Sequence, residues 1–526
     1  MKQLKAFLSR HTARNIESFT KRDWWLLGSI LTGFSVLALG NITRWSIWFD
    51  EAFSAYLIRY DYGEVAKFTA ADVHPPLYYW LLKAWTTVFG TSELGLRSFS
   101  LVCIGIALVF VYLLVRQGFS RWVAGSAIVV ASLSPMLIRY SEEARMYGMV
   151  MAIVATATYV LALQLKKPTK RRWVYYGVLV SLGMWTHYYT ALAWIAHWIW
   201  RSSIIRSESR KDRVRRFFSK EWLWAHALAI VLFLPWLPTM LHQMFGIQGG
   251  GFWIKPITLL SPVNLYTNLL YYRETWEMTP LLATIAILIA AGLCWLSPKA
   301  YRVLSPYQKQ LFWLIASLAF VPTIMLLLLS LPPLRPSYVE RYLLVAILYW
   351  SALIGVTLGI LLQSKIALKQ TIVVSVLTIG AMIFGIVSVY QTGNYNKNNG
   401  DLLQLRWTVQ AAQSKAGSAP VVVSAFRYYE AHYYQTDEHP MYYQEADKVP
   451  WGSFDMMRAS DYRKVQNVAT FAQEHGGVIW WLSDWSVYGK PDLPVSGKWK
   501  VIEELHAPAL PNDKSGLRAA KIQLEP

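Results

Sequence analysis

The chain has 526 residues, of which 55% are hydrophobic and only 16% are charged. Soluble globular chains carry about 25% charged residues, so this composition excludes an ordinary soluble enzyme. The formal net charge is +20. Because the basic residues lie beside long apolar stretches, membrane topology explains this charge better than nucleic-acid binding does.

Apolar runs that are long enough to cross a bilayer recur along the first three quarters of the chain. They predict an α-helical polytopic membrane protein with about eleven transmembrane helices, and the division of 173–200 leaves that count open by one or two. The candidate spans are 24–40, 98–115, 122–138, 147–165, 173–189, 190–200, 222–240, 280–297, 311–331, 342–362 and 371–390.

Lysine and arginine residues predict the orientation of these spans. The segment before the first span is basic, and so are the connections at 166–172 and 201–220. We therefore expect these segments in the cytoplasm. With an odd number of spans, the chain beyond about residue 391 lies on the outer side, and the predicted location is the plasma (inner) membrane.

Two adjacent carboxylates, Asp50 and Glu51, follow the first span among aromatic residues and open a first outer loop that covers 41–97. A carboxylate in a partly dry site can serve as a general base. The alternative is that Asp50 caps a surface helix while Glu51 is solvated. The aromatic neighbours, and His74 in the same loop, favour the functional interpretation. Two helices that lie along the membrane surface are predicted in this loop, at 52–60 and 77–89.

Charged residues gather again between the third and fourth spans, where almost no loop is available. Glu142, Glu143 and Arg145 lie here, next to Tyr147. The carboxylates could bind sugar hydroxyls while Arg145 binds an anion. Alternatively, these charges pair with one another and fix the turn.

A third polar group, Glu340 and Arg341, lies just before the tenth span. A guanidinium at this position is suited to hold a lipid phosphate. It could equally be an interfacial residue whose charged end reaches the headgroups. His187, at the end of the fifth span, is a weaker candidate, because a single histidine beside aromatic residues is more often an interface residue than a ligand.

Taken in order, these motifs resemble those of the C-type (GT-C) membrane glycosyltransferases. The likeness is to the protein mannosyltransferase-like group (glycosyltransferase family 39-like), which includes the lipid A aminoarabinose transferases. The matching residues are Trp48-Phe49-Asp50-Glu51-Ala52, His74-Pro75-Pro76-Leu77-Tyr78-Tyr79-Trp80, Phe89-Gly90, Glu93, Arg97, Ser134-Pro135, Tyr140-Ser141-Glu142-Glu143-Ala144-Arg145-Met146-Tyr147 and Glu340-Arg341-Tyr342.

The resemblance implies a glycosyltransferase that takes a sugar from a polyprenyl-phosphate carrier on the outer leaflet. Asp50 would be the base or the acceptor-positioning group, and Glu142 or Glu143 would be the second acidic position. Arg145 and Arg341 would face the donor phosphate. The predicted catalytic residues are thus Asp50 and Glu51, and the predicted substrate-binding residues are His74, Tyr78, Glu142, Glu143, Arg145, Tyr147, His187, Glu340 and Arg341.

His74 departs from the family pattern, because relatives often have lysine or another polar residue before the two prolines. No cofactor is expected to be required. A divalent metal could bind at Asp50, Glu51 and His74, but the pattern does not imply one. The expected partners are a polyprenyl-phosphate-linked sugar donor, an acceptor glycan, lipid or protein, and the bilayer, with no nucleic acid.

The predicted domains are a transmembrane glycosyltransferase domain at 1–390 and an extracytoplasmic α/β domain at 391–526. A polar linker at 393–400 separates them. The second domain is predicted to contain helices at 401–415 and 459–474 and buried strands at 421–424 and 478–483. Its tyrosines could stack on sugar rings or simply pack the core.

Two other functions stay open at this point. A transporter or flippase of lipid-linked sugars would be expected to place charges at mid-membrane in related halves. A polymerase or ligase of lipid-linked sugars would be expected to use a large late loop, and the connection at 241–279 is long enough to be one. The charges gather at span ends, which favours the transferase.

Overall fold

The computed structural model describes residues 19–205, 209–246, 254–392, 405–437, 439, 441–445, 452–483, 493–505 and 518–525. Helices dominate as far as Thr392, and a small mixed sheet follows. The predicted linker at 393–400, most of the basic N-terminal segment and part of the 241–279 connection lie outside the described residues.

The helical part is a bundle of long helices joined by shorter ones. The long or paired helices are Lys21–Leu39, Glu93–Arg116, Arg121–Ser132 with Pro135–Ser141, Tyr147–Lys166, Lys170–Thr186, Ala191–Ile204, Lys220–Phe233 with Leu237–Gly246, Pro280–Arg302, Pro306–Leu328, Leu344–Ser364 and Leu368–Thr392. The shorter ones are Phe49–Leu57, Tyr62–Ala71, Leu77–Phe89, Arg210–Phe217 and Ser261–Tyr271.

Seven helices of the described residues are long and apolar enough to cross a membrane, and an eighth span results if a pair bent by 67° counts as one. The bent pair is Arg121–Ser132 with Pro135–Ser141. The predicted number of eleven spans stays a prediction. Lys170–Thr186 and Ala191–Ile204, for example, lie where two spans were predicted but contain only 17 and 14 residues.

The basic connections lie together at one end of the bundle. Lys166 Nζ donates to Gln117 O at 2.6 Å, and Gln308 Nε2 donates to Gly118 O at 2.8 Å. The helices Glu93–Arg116 and Tyr147–Lys166 both end here, so both begin at the opposite end. The acidic and aromatic motifs therefore gather at the end away from the basic connections.

Small residues set the closest helix contacts. Helix Leu344–Ser364 packs along Arg121–Ser132, and a Cβ at Gly355 would lie only 2.3 Å from the Ser126 backbone oxygen. Gly148 likewise lies against the Ser100 backbone. Such glycines let helix backbones approach closely, which is how membrane helices gain packing contacts without a hydrophobic driving force.

The first loop after Lys21–Leu39 contains three short helices. The predicted helix at 77–89 is confirmed as Leu77–Phe89, and it ends at Gly90, whose φ of 75° suits glycine. The helix predicted at 52–60 is Phe49–Leu57. A third, Tyr62–Ala71, begins where Asp61 accepts a hydrogen bond from Glu64 N at 2.8 Å.

The second domain contains a six-stranded sheet with order β3-β2-β1-β4-β6-β5. The strands are β1 Val421–Val423, β2 Met441–Gln444, β3 Lys464–Val465, β4 Val478–Ser483, β5 Trp499–Leu505 and β6 Arg518–Leu524. β1 to β4 pair in parallel, whereas β6 pairs antiparallel with β4 and β5. Its helices are Leu405–Lys415, Tyr428–Tyr434, Asp455–Ala459 and Val468–Glu474.

The helix predicted at 459–474 is wrong as a single element. Residues 464–465 form β3 instead, which pairs with β2 at the sheet edge. The following helix begins at Val468 because the side chain of Asn467 accepts hydrogen bonds from Ala469 N and Thr470 N. An edge strand of two residues is too short to produce a recognisable alternation in the sequence.

The second domain contacts the first loop through Tyr434. Its hydroxyl accepts from Ile47 N at 2.6 Å and donates to Glu93, which also pairs with Arg406. Phe49 packs against Phe454 with ring centroids 5.8 Å apart. The residues just before and beside Asp50 are therefore held in part by the second domain.

Replacing Tyr434 with phenylalanine is expected to loosen this contact. The change leaves Ile47 N buried without its acceptor, which costs about 1–3 kcal/mol. Hydrogen exchange of the 405–434 backbone should accelerate in the variant. Tyr433→Phe is the matched control, since its hydroxyl donates at an exposed site to Thr91 O at 2.9 Å. Equal acceleration in both variants would contradict the assignment.

Candidate active site

The helix Phe49–Leu57 sets the direction of Asp50. Its N-terminal flanking residue is Trp48, so Asp50 lies inside the first turn and does not cap the helix as the alternative interpretation required. The Asp50 side chain is 22% exposed, whereas that of Glu51 is fully buried. The two neighbouring carboxylates thus face different surroundings.

Glu51 is held by Arg97 in a bidentate pair. Arg97 Nε and Nη2 donate to Oε1 and Oε2 of Glu51, each at 2.8 Å. Ala144 N donates to Oε1 at 2.8 Å, and Arg97 Nη1 also donates to the carbonyl oxygens of Ile42 and Trp45. The pair ties three segments of the chain together beneath Asp50. Catalytic use of Glu51 stays a prediction.

Removing Arg97 is expected to destabilise the protein strongly, because Glu51 would stay buried without a counter-charge. Breaking such a pair costs about 3–5 kcal/mol. Unfolding of Arg97→Met by denaturant in detergent measures the loss. The double variant Arg97→Met/Glu51→Leu should recover part of it, since neither charge remains. A double variant less stable than Arg97→Met would contradict this account.

Arg145 reaches Asp50 from the turn before helix Tyr147–Lys166. Its Nη1 donates to Asp50 O at 3.2 Å, to Ser54 Oγ at 3.2 Å and to Tyr79 OH at 3.1 Å. Its Nε lies 3.9 Å from Asp50 Oδ2. The guanidinium is therefore fixed by neutral acceptors and stays available, through Nε, to an anion beside Asp50.

Arg341 lies near the same oxygen of Asp50. Its Nη2 lies 3.9 Å from Asp50 Oδ2. The guanidinium lies over the rings of Trp48 and Tyr342, 5.8 and 5.9 Å from their centroids. Asp50 Oδ2 thus lies between two cations, which we call the arginine pair, Arg145 and Arg341.

His74 and His187 lie side by side near the arginine pair, with ring centroids 5.5 Å apart. Burial, and then the charge of Arg145, hold the pKa of His74 well below its usual value. The same causes lower the pKa of His187 to about 3. Both rings are therefore neutral at neutral pH. Tyr189 N donates to His187 Nδ1 at 3.3 Å, so Nε2 carries the proton in this ring.

A small cavity opens beside these residues. One part of its lining is polar and aromatic, and the other part is apolar. The polar and aromatic lining is Tyr147, His187, Tyr189, Arg341 and Tyr342, and the apolar lining is Val150, Leu192, Ala193, Pro322, Leu344 and Val345. One part of the cavity is therefore positively charged, and the other part of its lining is apolar.

Four predicted binding residues have other contacts or lie outside the cavity lining. Glu142 accepts from Asn41 Nδ2 at 3.0 Å, and Glu143 lies 3.4 Å from Arg139. Tyr78 is fully buried against Tyr79 and Phe99, and Glu340 is outside the cavity lining. Substrate binding by Glu142, Glu143, Tyr78 and Glu340 stays a prediction.

Asp72 is a residue of the candidate site that was not predicted from the sequence. Burial raises the pKa of Asp72 to about 6. The charge of Arg145 lowers this pKa and that of Asp50 raises it, so Asp72 lies close enough to both residues for their charges to act on it. Gln243 Nε2 holds this loop by donating to Thr69 O at 2.8 Å and to Asp72 O at 3.0 Å. The signal for Asp72 was its position two residues before His74. No local pattern marks Gln243.

In the long connection at 241–279, the contacts of Arg273 are with helix Leu368–Thr392. Arg273 Nη2 donates to Ser388 Oγ at 3.3 Å and its guanidinium lies over Phe384. Burial raises the pKa of Glu277 to about 7, and its neighbour Glu274 adds to the rise. The contacts of Arg273 place it beside helix Leu368–Thr392.

Comparison with known proteins identifies a family segment and a similar fold. The family model described as "Dolichyl-phosphate-mannose-protein mannosyltransferase" matches residues 73–238. No curated protein matches the sequence. Among solved structures, ArnT from Cupriavidus metallidurans in the apo state has a TM-score of 0.60 at 12% identity, over 96% of this chain and 98% of that chain.

The same ArnT bound to undecaprenyl phosphate has a TM-score of 0.58 at 12% identity, over 94% of this chain and 97% of that one. At such identity the match establishes a shared fold. The predicted resemblance to the C-type membrane glycosyltransferases is thus confirmed, by the mannosyltransferase family segment and by an ArnT-like fold over nearly the whole chain.

Proposed function

We propose that the chain moves a sugar from a polyprenyl-phosphate-linked donor to an acceptor at the outer face of the membrane. The reaction is an inverting displacement in which Asp50 is the base. The observation that carries this proposal is the position of Asp50 Oδ2, 3.9 Å from a nitrogen of each member of the arginine pair. Such a site places a proton acceptor, Asp50, next to two guanidinium groups that can bind an anion.

The arginine pair is proposed to bind the donor phosphate, and the apolar cavity wall the start of the prenyl chain. Guanidinium groups bind phosphate through charge-assisted hydrogen bonds. Arg341 lines the cavity together with apolar residues of the helices Tyr147–Lys166, Ala191–Ile204 and Leu344–Ser364. A lipid phosphate has the matching anionic head and apolar tail, and the ArnT structure bound to undecaprenyl phosphate supports this choice of donor class.

The displacement needs a deprotonated acceptor and a stabilised leaving group. A hydroxyl is a poor nucleophile, and a carboxylate within hydrogen-bond reach assists by taking its proton. The carrier phosphate gains negative charge as its bond to the sugar breaks, and fixed cations stabilise that charge. Asp50 and the arginine pair supply both functions within one small volume.

His187 is proposed to add a neutral donor to the phosphate site. Its proton is on Nε2, because Nδ1 accepts from Tyr189 N. A neutral imidazole donates one hydrogen bond without adding charge. Since the pKa of His187 is lowered to about 3 by burial and then by Arg145, this contribution should not change between about pH 6 and pH 8.

The absence of a metal requirement is part of the proposal, because the two arginines provide the positive charge at the phosphate. Among the described residues no group of three His, Cys, Asp or Glu side chains is arranged to hold a metal ion. Transfer measured with and without EDTA tests this point. Unchanged transfer supports it, and loss that Mg²⁺ or Mn²⁺ restores would contradict it.

The proposal is tested by sugar transfer with purified protein in nanodiscs. A panel of radiolabelled polyprenyl-phosphate sugars is the donor source, and an inner-membrane extract supplies acceptors. Asp50→Asn is compared with Asp61→Asn, a matched change in the same loop at which asparagine still caps the helix Tyr62–Ala71. The expected result is transfer from one donor, which Asp50→Asn lowers strongly and Asp61→Asn does not.

A different result would assign a different function. Transport of the intact donor between leaflets, unchanged in Asp50→Asn, would contradict the transferase and favour a flippase. Transfer of a whole oligosaccharide chain in preference to single sugars would favour a polymerase or ligase. The acceptor class, whether protein, lipid or glycan, is identified from the labelled product.

A further inference from the structure

Asn41 and Glu142 form a buried pair that leaves one oxygen on each side chain without a partner. Both residues are 2% exposed. Asn41 Nδ2 donates to Glu142 Oε2 at 3.0 Å. The remaining oxygens, Asn41 Oδ1 and Glu142 Oε1, are buried and have no hydrogen-bond partner within the described part of the chain.

A single proton satisfies both oxygens. An ionised carboxylate only accepts hydrogen bonds, so two desolvated acceptors would remain, and burying such groups is unfavourable. A protonated carboxyl group has one donor and one acceptor, as does the edge of a side-chain amide that carries the oxygen and the neighbouring N–H. Placed on Oε1, the proton can be donated to Asn41 Oδ1, which completes a pair of opposed hydrogen bonds.

The charges around Glu142 already have partners. Arg97 binds Glu51 at 2.8 Å, and Arg139 lies 3.4 Å from Glu143. Burial raises the pKa of Glu142 to about 7, against the opposing effects of Arg139 and Asn41. The charged and titratable groups that act on Glu142, or on which it acts, are Arg139, Arg97, Glu51 and Tyr390.

We propose that Glu142 is a neutral carboxylic acid that donates to Asn41, and that this acid–amide pair positions the turn that bears Arg145. The pair joins the end of helix Lys21–Leu39 to residue 142. Two residues later Ala144 N donates to Glu51, and Arg145 then reaches Asp50. Glu142 is thus a positioning residue, and its effect on transfer rests on the function proposed above.

Glutamine is the test substitution, because its amide reproduces the hydrogen bonds of the protonated acid and cannot ionise. Thermal unfolding of the full chain in detergent is measured from about pH 5 to about pH 8 for wild type, Glu142→Gln and Glu142→Ala. Glu143→Gln is the matched control, because it removes a charge that pairs with Arg139. No substrate is needed, so failure of the transfer assay leaves this test intact.

The sign of the pH effect follows from the raised pKa. The folded state binds the proton more tightly than the unfolded chain, so the stability that Glu142 contributes is full at low pH and declines as pH rises toward about 7. Glu142→Gln should match wild type near pH 5 and exceed its midpoint temperature near pH 8. Glu142→Ala and Glu143→Gln should be lower than wild type at both pH values.

Infrared difference spectra give a second readout. The proposal expects the carbonyl stretch of a protonated carboxylic acid in wild type at pH 6 and its loss in Glu142→Gln. Three results would overturn it: a Glu142→Gln protein that fails to fold, one as destabilised as Glu143→Gln, or one whose stability changes with pH as in wild type. A water-bridged, ionised Glu142 predicts the second of these.

Discussion

Replacing Asp50 with asparagine is expected to lower the turnover of sugar transfer by about 10²–10⁴-fold, the usual contribution of a positioned base. Donor affinity should be unchanged or higher. The reason is that Asp50 Oδ2 lies 3.9 Å from both arginines that are proposed to bind the phosphate, and asparagine removes the negative charge that competes there. Single-turnover transfer and donor binding, measured separately, check the two parts.

Asp61→Asn is the control for the Asp50 change, since Asp61 is an exposed helix cap in the same loop. It should retain wild-type turnover. If Asp50→Asn lost donor binding and turnover together, Asp50 would be a donor-site residue instead of a base. Equal turnover in Asp50→Asn and wild type would remove it from the mechanism.

Replacing Arg341 with glutamine is expected to raise the KM for the donor by about 10–100-fold. A hydrogen bond to a charged group contributes about 1.5–3 kcal/mol, and 1.4 kcal/mol corresponds to a factor of ten. Arg341 is the better test residue of the arginine pair, because Arg145 also holds Ser54 and Tyr79. Kinetics with increasing donor concentration measure the change.

Two further variants serve as a charge-conserving test and as a control for the Arg341 experiment. Arg341→Lys keeps the charge but not the planar fork, so it should recover only part of the donor affinity. Arg335→Gln changes an exposed arginine in the same connection, which is not part of the cavity lining, and it should have a wild-type KM. An equal loss in Arg335→Gln and Arg341→Gln would indicate a general charge effect.

The sequence predicted most of the site because its residues lie in short motifs at span ends. Charged residues at such positions are costly in free energy unless they have a function, and Asp50, Arg145 and Arg341 are all charged residues of this kind. The structure brings these three together, although 95 residues separate Asp50 from Arg145 and almost two hundred separate Arg145 from Arg341. Hydropathy could also locate the long helices, since their composition is nearly uniform.

The partners of the buried charges could not be predicted. Glu51 and Arg97 are 46 positions apart, and nothing in either local pattern says that they meet. The different surroundings of Asp50 and Glu51 could therefore be seen only in the structure. The support that the second domain gives to the first loop, through Tyr434 and Phe454, depends in the same way on packing between distant segments.

The bond between sugar and phosphate is the most direct point at which to test the account. Purified protein in proteoliposomes is given a polyprenyl-phosphate sugar that is labelled in both the lipid and the sugar, with acceptor extract present. One free polyprenyl phosphate should be released for each sugar transferred, and Asp50→Asn should slow the formation of both products to the same extent. Movement of doubly labelled donor across the bilayer, with the bond intact and no transfer, would contradict it.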